Sequence, residues 1–135
     1  MNFIGTTDNQ DLVFKQNNIQ AGVLNSNNTS FGVNSLPLSA TGTDNVTIGV
    51  NAMSSNVTGR ENIAIGQNAL RDNLDGTSNT AVGFNTLIAN TAGSNTAIGS
   101  SALVNNTSGS DNTGVGSLTL NHNTTGGNNT AIGIQ

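Results

Sequence analysis

The chain has 135 residues, a length that suits one domain, and 73 of them are Asn, Thr, Ser or Gly. Charged residues make up 7%, aromatics 3%, Cys and Trp are absent and the net charge is −4. These figures exclude a disulfide scaffold and a cysteine-based metal or redox site. Lys15, Arg60 and Arg71 are the only basic residues, too few to make a footprint for nucleic acid or anionic lipid. No run of about 18 apolar residues is present, so direct membrane insertion is not expected.

Residues 1–27 differ in kind from the rest. Phe3-Ile4 and Leu12-Val13-Phe14 flank the polar stretch Thr6-Thr7-Asp8-Asn9-Gln10, which predicts a β-hairpin. Residues 19–24 read as a further strand leading into the remainder of the chain. A segment of this kind is expected to cap a repeat array, whose open edge otherwise invites end-to-end pairing.

Residues 28–135 are a repeat array. A five-residue signature recurs at 28–32 (NTSFG), 45–49 (NVTIG), 62–66 (NIAIG), 79–83 (NTAVG), 95–99 (NTAIG), 112–116 (NTGVG) and 129–133 (NTAIG). Position 1 is thus Asn28, Asn45, Asn62, Asn79, Asn95, Asn112 and Asn129. Position 5 is Gly32, Gly49, Gly66, Gly83, Gly99, Gly116 and Gly133. The period is 17 except in the fourth unit, which has 16 and reads as missing a residue after Gly93. Position 9 is Leu36, Met53, Leu70, Leu87, Leu103 and Leu120, and the consensus is N-T-A-I-G-x-x-A-L-x-x-N-T-x-G-x-x.

Helical repeats need roughly 33 residues or more, and this composition is poor in helix formers. Two short strands joined by two turns fit 17 residues. The absence of any Asn-Gly pair favours stacked parallel coils over an antiparallel meander. The fold class is therefore all-β, a parallel β-roll or solenoid of six to seven coils about 4.8 Å apart, forming a rod of roughly 30 Å.

Alternation puts positions 2 and 4 on one side of the strand and positions 1 and 3 on the other. Position 4 is Phe31, Ile48, Ile65, Val82, Ile98, Val115 and Ile132. Positions 4 and 9 are the only large apolar anchors, assigned jointly to core and subunit contact, and the Asn residues are expected to form a ladder of side-chain amides. Two large anchors per coil make a thin core, so the chain is expected to self-associate.

With the N-T-A-I-G units laid out, the array resembles the head repeat of trimeric autotransporter adhesins. That resemblance implies a left-handed β-roll packed as a homotrimer, although the family's usual period is shorter than 17. More closely still, it resembles 17-residue N-T-A-I-G-x-x-A-L repeats of phage and other viral tail-fibre or spike proteins. There a segment like residues 3–15 (FIGTTDNQDLVFK) precedes the repeats. The likeness spans residues 2–135 and implies a non-enzymatic virion fibre that attaches to a host receptor or glycan. The alternative is the head of a bacterial surface adhesin; a distant third is an ice-binding solenoid. Anchor barrel, stalk and chaperone segments have no counterpart in these residues, and the seventh unit stops at Gln135, as expected of a piece of a longer protein.

Other candidate sites are weak. His122 has no nucleophile or carboxylate at a catalytic spacing. Asp44, Glu61 and Asp111 recur at position 17, but the Gly- and Asp-rich pattern of a calcium solenoid is missing. Asn-x-Ser/Thr triplets at Asn27, Asn28, Asn45, Asn56, Asn105, Asn106, Asn123 and Asn128 follow from the repeat. Phe84 at position 6, with Ile88 and Val104 at position 10, is a candidate adhesive patch. No cofactor or metal is expected, and no enzymatic activity.

Overall fold

The computed structural model describes residues 5–8 and 10–135. It contains nine strands: β1 (Leu12–Gln16), β2 (Ile19–Leu24), β3 (Asn28–Phe31), β4 (Asn45–Ile48), β5 (Ile63–Ile65), β6 (Thr80–Val82), β7 (Thr96–Ile98), β8 (Thr113–Val115) and β9 (Thr130–Ile132). They form one sheet in sequence order. β3 to β9 pair in parallel, each residue opposite its equivalent one repeat away, as Ala64 opposite Ala81. The chain is a parallel β-solenoid of about six turns, with no helix among the described residues.

The N-terminal strands pair antiparallel, β1 with β2 and β2 with β3. The expected partnership of Phe3-Ile4 with Leu12-Val13-Phe14 has its first half outside the described residues. On its described edge β1 pairs with β2, around the two-residue turn Asn17-Asn18. Both Asn residues have positive φ, 50° and 62°, the geometry of a type I′ hairpin turn, which Asn tolerates as well as Gly does. The strand at residues 19–24 is where the sequence placed it. It meets the first coil through side chains as well: Asn25 Oδ1 accepts the Asn28 N–H at 2.6 Å, and Gln20 Nε2 donates to the Leu36 carbonyl at 2.9 Å.

Each coil has one strand, not two. Position 7 has φ between 55° and 61°, and position 9 between 37° and 51°. Left-handed residues two apart cannot continue a strand, so the return path winds through turns. A left-handed Leu costs about 1–2 kcal/mol. The conformation persists because it points the side chain into the coil, where Leu36, Met53, Leu70, Leu87 and Leu103 are 0–2% exposed. The position-9 N–H then reaches the position-8 carbonyl of the next coil, as from Met53 to Ala69 at 3.0 Å.

The core consists of those residues with the alanines of positions 3 and 8, among them Ala64, Ala81, Ala97, Ala52, Ala69 and Ala102. So narrow an interior, already filled by position 9, admits only small side chains from the strand. Positions 1 and 3 therefore point in, and positions 2 and 4 point out. Position 9 is core; position 4 is not.

The short coil also differs from the sequence reading. Asn79 Nδ2 donates to the Ala92 carbonyl, where other coils use the position-15 glycine carbonyl. Gly93 occupies position 16, its carbonyl accepting the Asp111 N–H at 3.4 Å, as Thr43 accepts that of Glu61. The missing residue is therefore lost before Gly93, in the turn after Asn90. Backbone alignment with neighbouring coils fixes the register, and the Gly in the sequence does not mark it.

Two residues at position 3 are neither Ala nor Ser. Thr47 is buried with its Oγ1 unpartnered, so Thr47→Val, which keeps the shape and removes the hydroxyl, is expected to stabilise by about 1 kcal/mol in chemical denaturation. Gly114 stands where most coils have Ala. A Cβ there would sit 3.0 Å from Thr119 Oγ1 and 3.5 Å from Leu103 Cδ1. Ala81 already coexists with Thr86, the same pair of positions in the fourth coil, so the hydroxyl can give way. Gly114→Ala is expected to add about 0.5 kcal/mol, read as a raised denaturation midpoint.

Candidate functional site

Two constructions recur on every coil: a buried amide array and an outward strand face. In the array, Asn45 Nδ2 donates to the Gly59 carbonyl of its own coil at 2.9 Å and to Asn28 Oδ1 at 3.1 Å. Asn28 Oδ1 also accepts the Asn45 backbone N–H at 2.9 Å. The ladder passes on through Asn62 and Asn79, and again through Asn112 and Asn129. It changes at the short coil, where the Asn95 amide turns to Asn90 Oδ1 at 3.2 Å while its backbone N–H keeps Asn79 Oδ1.

A second buried column lies at position 12: Asn56, Asn73, Asn90 and Asn106. Each Nδ2 donates to the carbonyl that closes its own turn, as Asn73 to Gly76 at 3.0 Å. The links along the stack run only from Asn106 to Asn90 and from Asn123 to Asn106, both 2.8 Å. Asn56 Oδ1 and Asn73 Oδ1 have no partner. The recurring Asn at position 12 was visible in the consensus, but nothing in a single sequence says that it points inward. Both columns hold the coil; neither presents a reactive group.

The outward face carries two unbroken columns across all nine strands. Pairing aligns Phe14, Gly22, Phe31, Ile48, Ile65, Val82, Ile98, Val115 and Ile132 in one. The other runs Leu12, Leu24, Thr29, Val46, Ile63, Thr80, Thr96, Thr113 and Thr130. No charged residue interrupts either column. Phe31, Ile48, Ile63 and Ile98 are 40–43% exposed. Exposed β-branched and aromatic residues aligned on one face make it a candidate interaction surface.

The remaining candidates lie outside the two strand columns. Phe84 is half exposed; Ile88 and Val104 are half-buried and occupy position 10 of consecutive coils. His122 is exposed on the sixth coil. Asp44, Glu61 and Asp111 sit in left-handed turns, held by hydroxyls such as Ser78 Oγ donating to Glu61 Oε2 at 3.0 Å. Among the described residues no three His, Asp or Glu side chains converge as metal ligands, and no helix is long and apolar enough to cross a membrane. Of the Asn-x-Ser/Thr triplets, Asn28, Asn45, Asn56 and Asn106 are buried in the amide columns, while Asn27, Asn105 and Asn128 are exposed.

Arg71 grips Asp72 through two hydrogen bonds, Nε to Oδ1 at 2.9 Å and a terminal nitrogen to Oδ2 at 2.6 Å. That hydrogen bonding holds the Asp72 carboxyl below its ordinary value, with burial opposing and charge attraction assisting. A depressed carboxyl stabilises above its unfolded pKa, and the contribution is lost as pH falls through the folded value. Both side chains are over 40% exposed, so solvent screening keeps the effect small.

Searches with this chain match no protein-family model, no curated protein and no solved structure.

Proposed function

We propose that the chain is a non-enzymatic, self-associating fibre or spike module, a homotrimer in a virion tail fibre, with a structural and host-attachment role. The observation that carries this reading is the uncharged outward strand face, apolar along one whole column, in which Phe31, Ile48 and Ile98 are exposed and Ile65, Val82 and Val115 half-buried in a single copy. Burying it against further copies supplies the apolar contact that the narrow interior lacks. An in-register stack of coils whose buried Asn Nδ2 groups donate to backbone carbonyls is a rigid spacer, which suits a fibre. The virion assignment rests on the resemblance of the repeat; a bacterial adhesin head is the alternative with the same architecture. Light scattering tests the assembly: a mass near three times 13.6 kDa with a β-type circular dichroism spectrum supports it, and a folded monomer rejects it.

A specific observation favours one other reading. Thr80, Thr96, Thr113 and Thr130 stand in an unbroken outward row, on a face that the sequence placed under cover. A flat, regular Thr row is what an ice-binding solenoid needs. Val46 and Ile63 interrupt it in the earlier coils. A folded monomer with thermal hysteresis activity would establish this reading in place of the fibre.

A further inference from the structure

We infer that the cleft between the N-terminal hairpin and the first two coils binds a neutral sugar, with Asn34 and Asn51 reading a pair of neighbouring hydroxyls. The inference rests on the attachment role proposed above and deepens it, naming the ligand class and the residues that hold it. The cleft has a volume of about 360 Å³ and is lined by Gln20, Asn34, Ser35, Pro37, Asn51 and Ser54, a size that suits a small-molecule site. Four of these come from two positions of successive coils: Asn34 and Asn51 from position 7, Pro37 and Ser54 from position 10. Gln20, on β2, closes the side where a preceding coil would lie. Its Nε2 donates to the Ser35 and Leu36 carbonyls, and its backbone carbonyl accepts the Asn34 N–H at 3.1 Å.

The observation that carries the inference is a break in a side-chain ladder. Position 7 is Asn in the first four coils: Asn34, Asn51, Asn68 and Asn85. Asn68 Nδ2 donates to Asn85 Oδ1 at 2.9 Å, and Asn51 Nδ2 donates to Asn68 Oδ1 at 3.3 Å. The next rung would join Asn34 Nδ2 to Asn51 Oδ1, and it is not made. Among the described residues the Asn34 side chain has no hydrogen-bond partner and Asn51 Oδ1 accepts none. The backbone does not cause the gap. The N–H groups of Asn51, Asn68 and Asn85 each reach the position-6 carbonyl of the preceding coil at 3.0 Å. The first two coils are as close as the others, and only the side chains part.

The unused groups define the ligand. Asn34 offers two N–H donors and an oxygen acceptor, Asn51 Oδ1 and Gln20 Oε1 are acceptors, and the Ser54 hydroxyl serves as either. None is ionised, so the cleft selects neither phosphate nor carboxylate. Adjacent hydroxyls of a sugar supply the missing rung, one accepting from Asn34 Nδ2 and its neighbour donating to Asn51 Oδ1. Half-buried Pro37 adds an apolar surface for the C–H groups of the ring. Positions 7 and 10 lie outside the two strand columns, so copies packed through the strand face leave each cleft open. Several clefts on one assembly then bind a multivalent glycan far more tightly than any single sugar.

Glucose, galactose, mannose and N-acetylglucosamine would be titrated into the full, isotope-labelled chain while its side-chain amide signals are followed by NMR. At least one sugar is expected to shift the Asn34 and Asn51 signals saturably and to leave those of buried Asn62 and Asn73 in place. Asn34→Asp keeps a residue that tolerates the left-handed turn but removes the donor. It is expected to weaken binding about fivefold, the worth of one hydrogen bond, and Ser54→Ala to weaken it less. No shift with any of the four sugars, or binding that both substitutions leave unchanged, overturns the inference. A mass near three times 13.6 kDa in that case leaves the fibre reading standing. Acetamide shifting the same signals where the sugars do not would identify an amide ligand and overturn the sugar assignment. Saturable sugar binding by a chain that proves to be a folded monomer supports the site and rejects the assembly.

Discussion

Gly49→Ala is expected to destabilise the protein by on the order of 4–5 kcal/mol, enough to leave the chain largely unfolded. Gly49 has φ of 135°, and a Cβ there would lie 2.6 Å from both the carbonyl carbon and oxygen of Gly66. That carbonyl belongs to the next coil, whose Gly66 N–H is bound to Ile48 O at 2.7 Å, so it cannot retreat without opening the stack. Gly133 is the control. Its φ is 138°, yet nothing lies within 4 Å of the added atom, so Gly133→Ala is expected to lose only about 1–2 kcal/mol of backbone strain. Urea denaturation of the two variants separates coil stacking from conformation. Equal losses would mean that the close approach between coils contributes nothing.

Asn62→Ala is expected to cost about 3 kcal/mol, and Asn73→Ala about 1 kcal/mol, although both side chains are fully buried. The Asn62 amide donates to Asn45 Oδ1 and Gly76 O, and its Oδ1 accepts both the backbone N–H and Nδ2 of Asn79. Removing it leaves the Asn79 backbone N–H buried with no acceptor, while Gly76 O keeps Asn73. Asn73 makes one bond, to a carbonyl that Asn62 also serves, and its Oδ1 is already unpaired. Denaturation midpoints of the two variants measure the difference. The reverse order would contradict the assignment of position 1 as the column that joins coils.

Most of the architecture was legible because a strict 17-residue register leaves few ways to fold. The parallel pairing of Asn45 with Asn28 and Asn62, the Asn ladder and the strand at residues 19–24 all follow from spacing and alternation. What escaped was whatever depends on left-handed backbone. The recurring Asn at position 7 was the one clue that the return path is turns and not a second strand, and Leu at position 9 argues against that conformation on its own. Asn17-Asn18 turned the hairpin without the Asn-Gly signal. The outward placement of position 4 was hidden for a different reason. Alternation says which residues share a face, but only the width of the coil says which face fits inside. Ile48 and Ile65 look like core residues until Leu70 is seen to fill the interior.

The central claim is that the outward strand face holds copies together while the interior holds each copy alone. The most direct measurement is the solution mass of the double variant Ile48→Glu, Ile98→Glu beside the parent chain. Both side chains are at least 40% exposed in a single copy, so the coil tolerates the charges and the circular dichroism spectrum should not change. Placed on a face shared between copies, the same charges are desolvated without partners. The expected result is a parent near three times the chain mass and a folded, monomeric double variant. A double variant that keeps the parent's multimeric mass, or a parent that is itself a folded monomer, would contradict the claim.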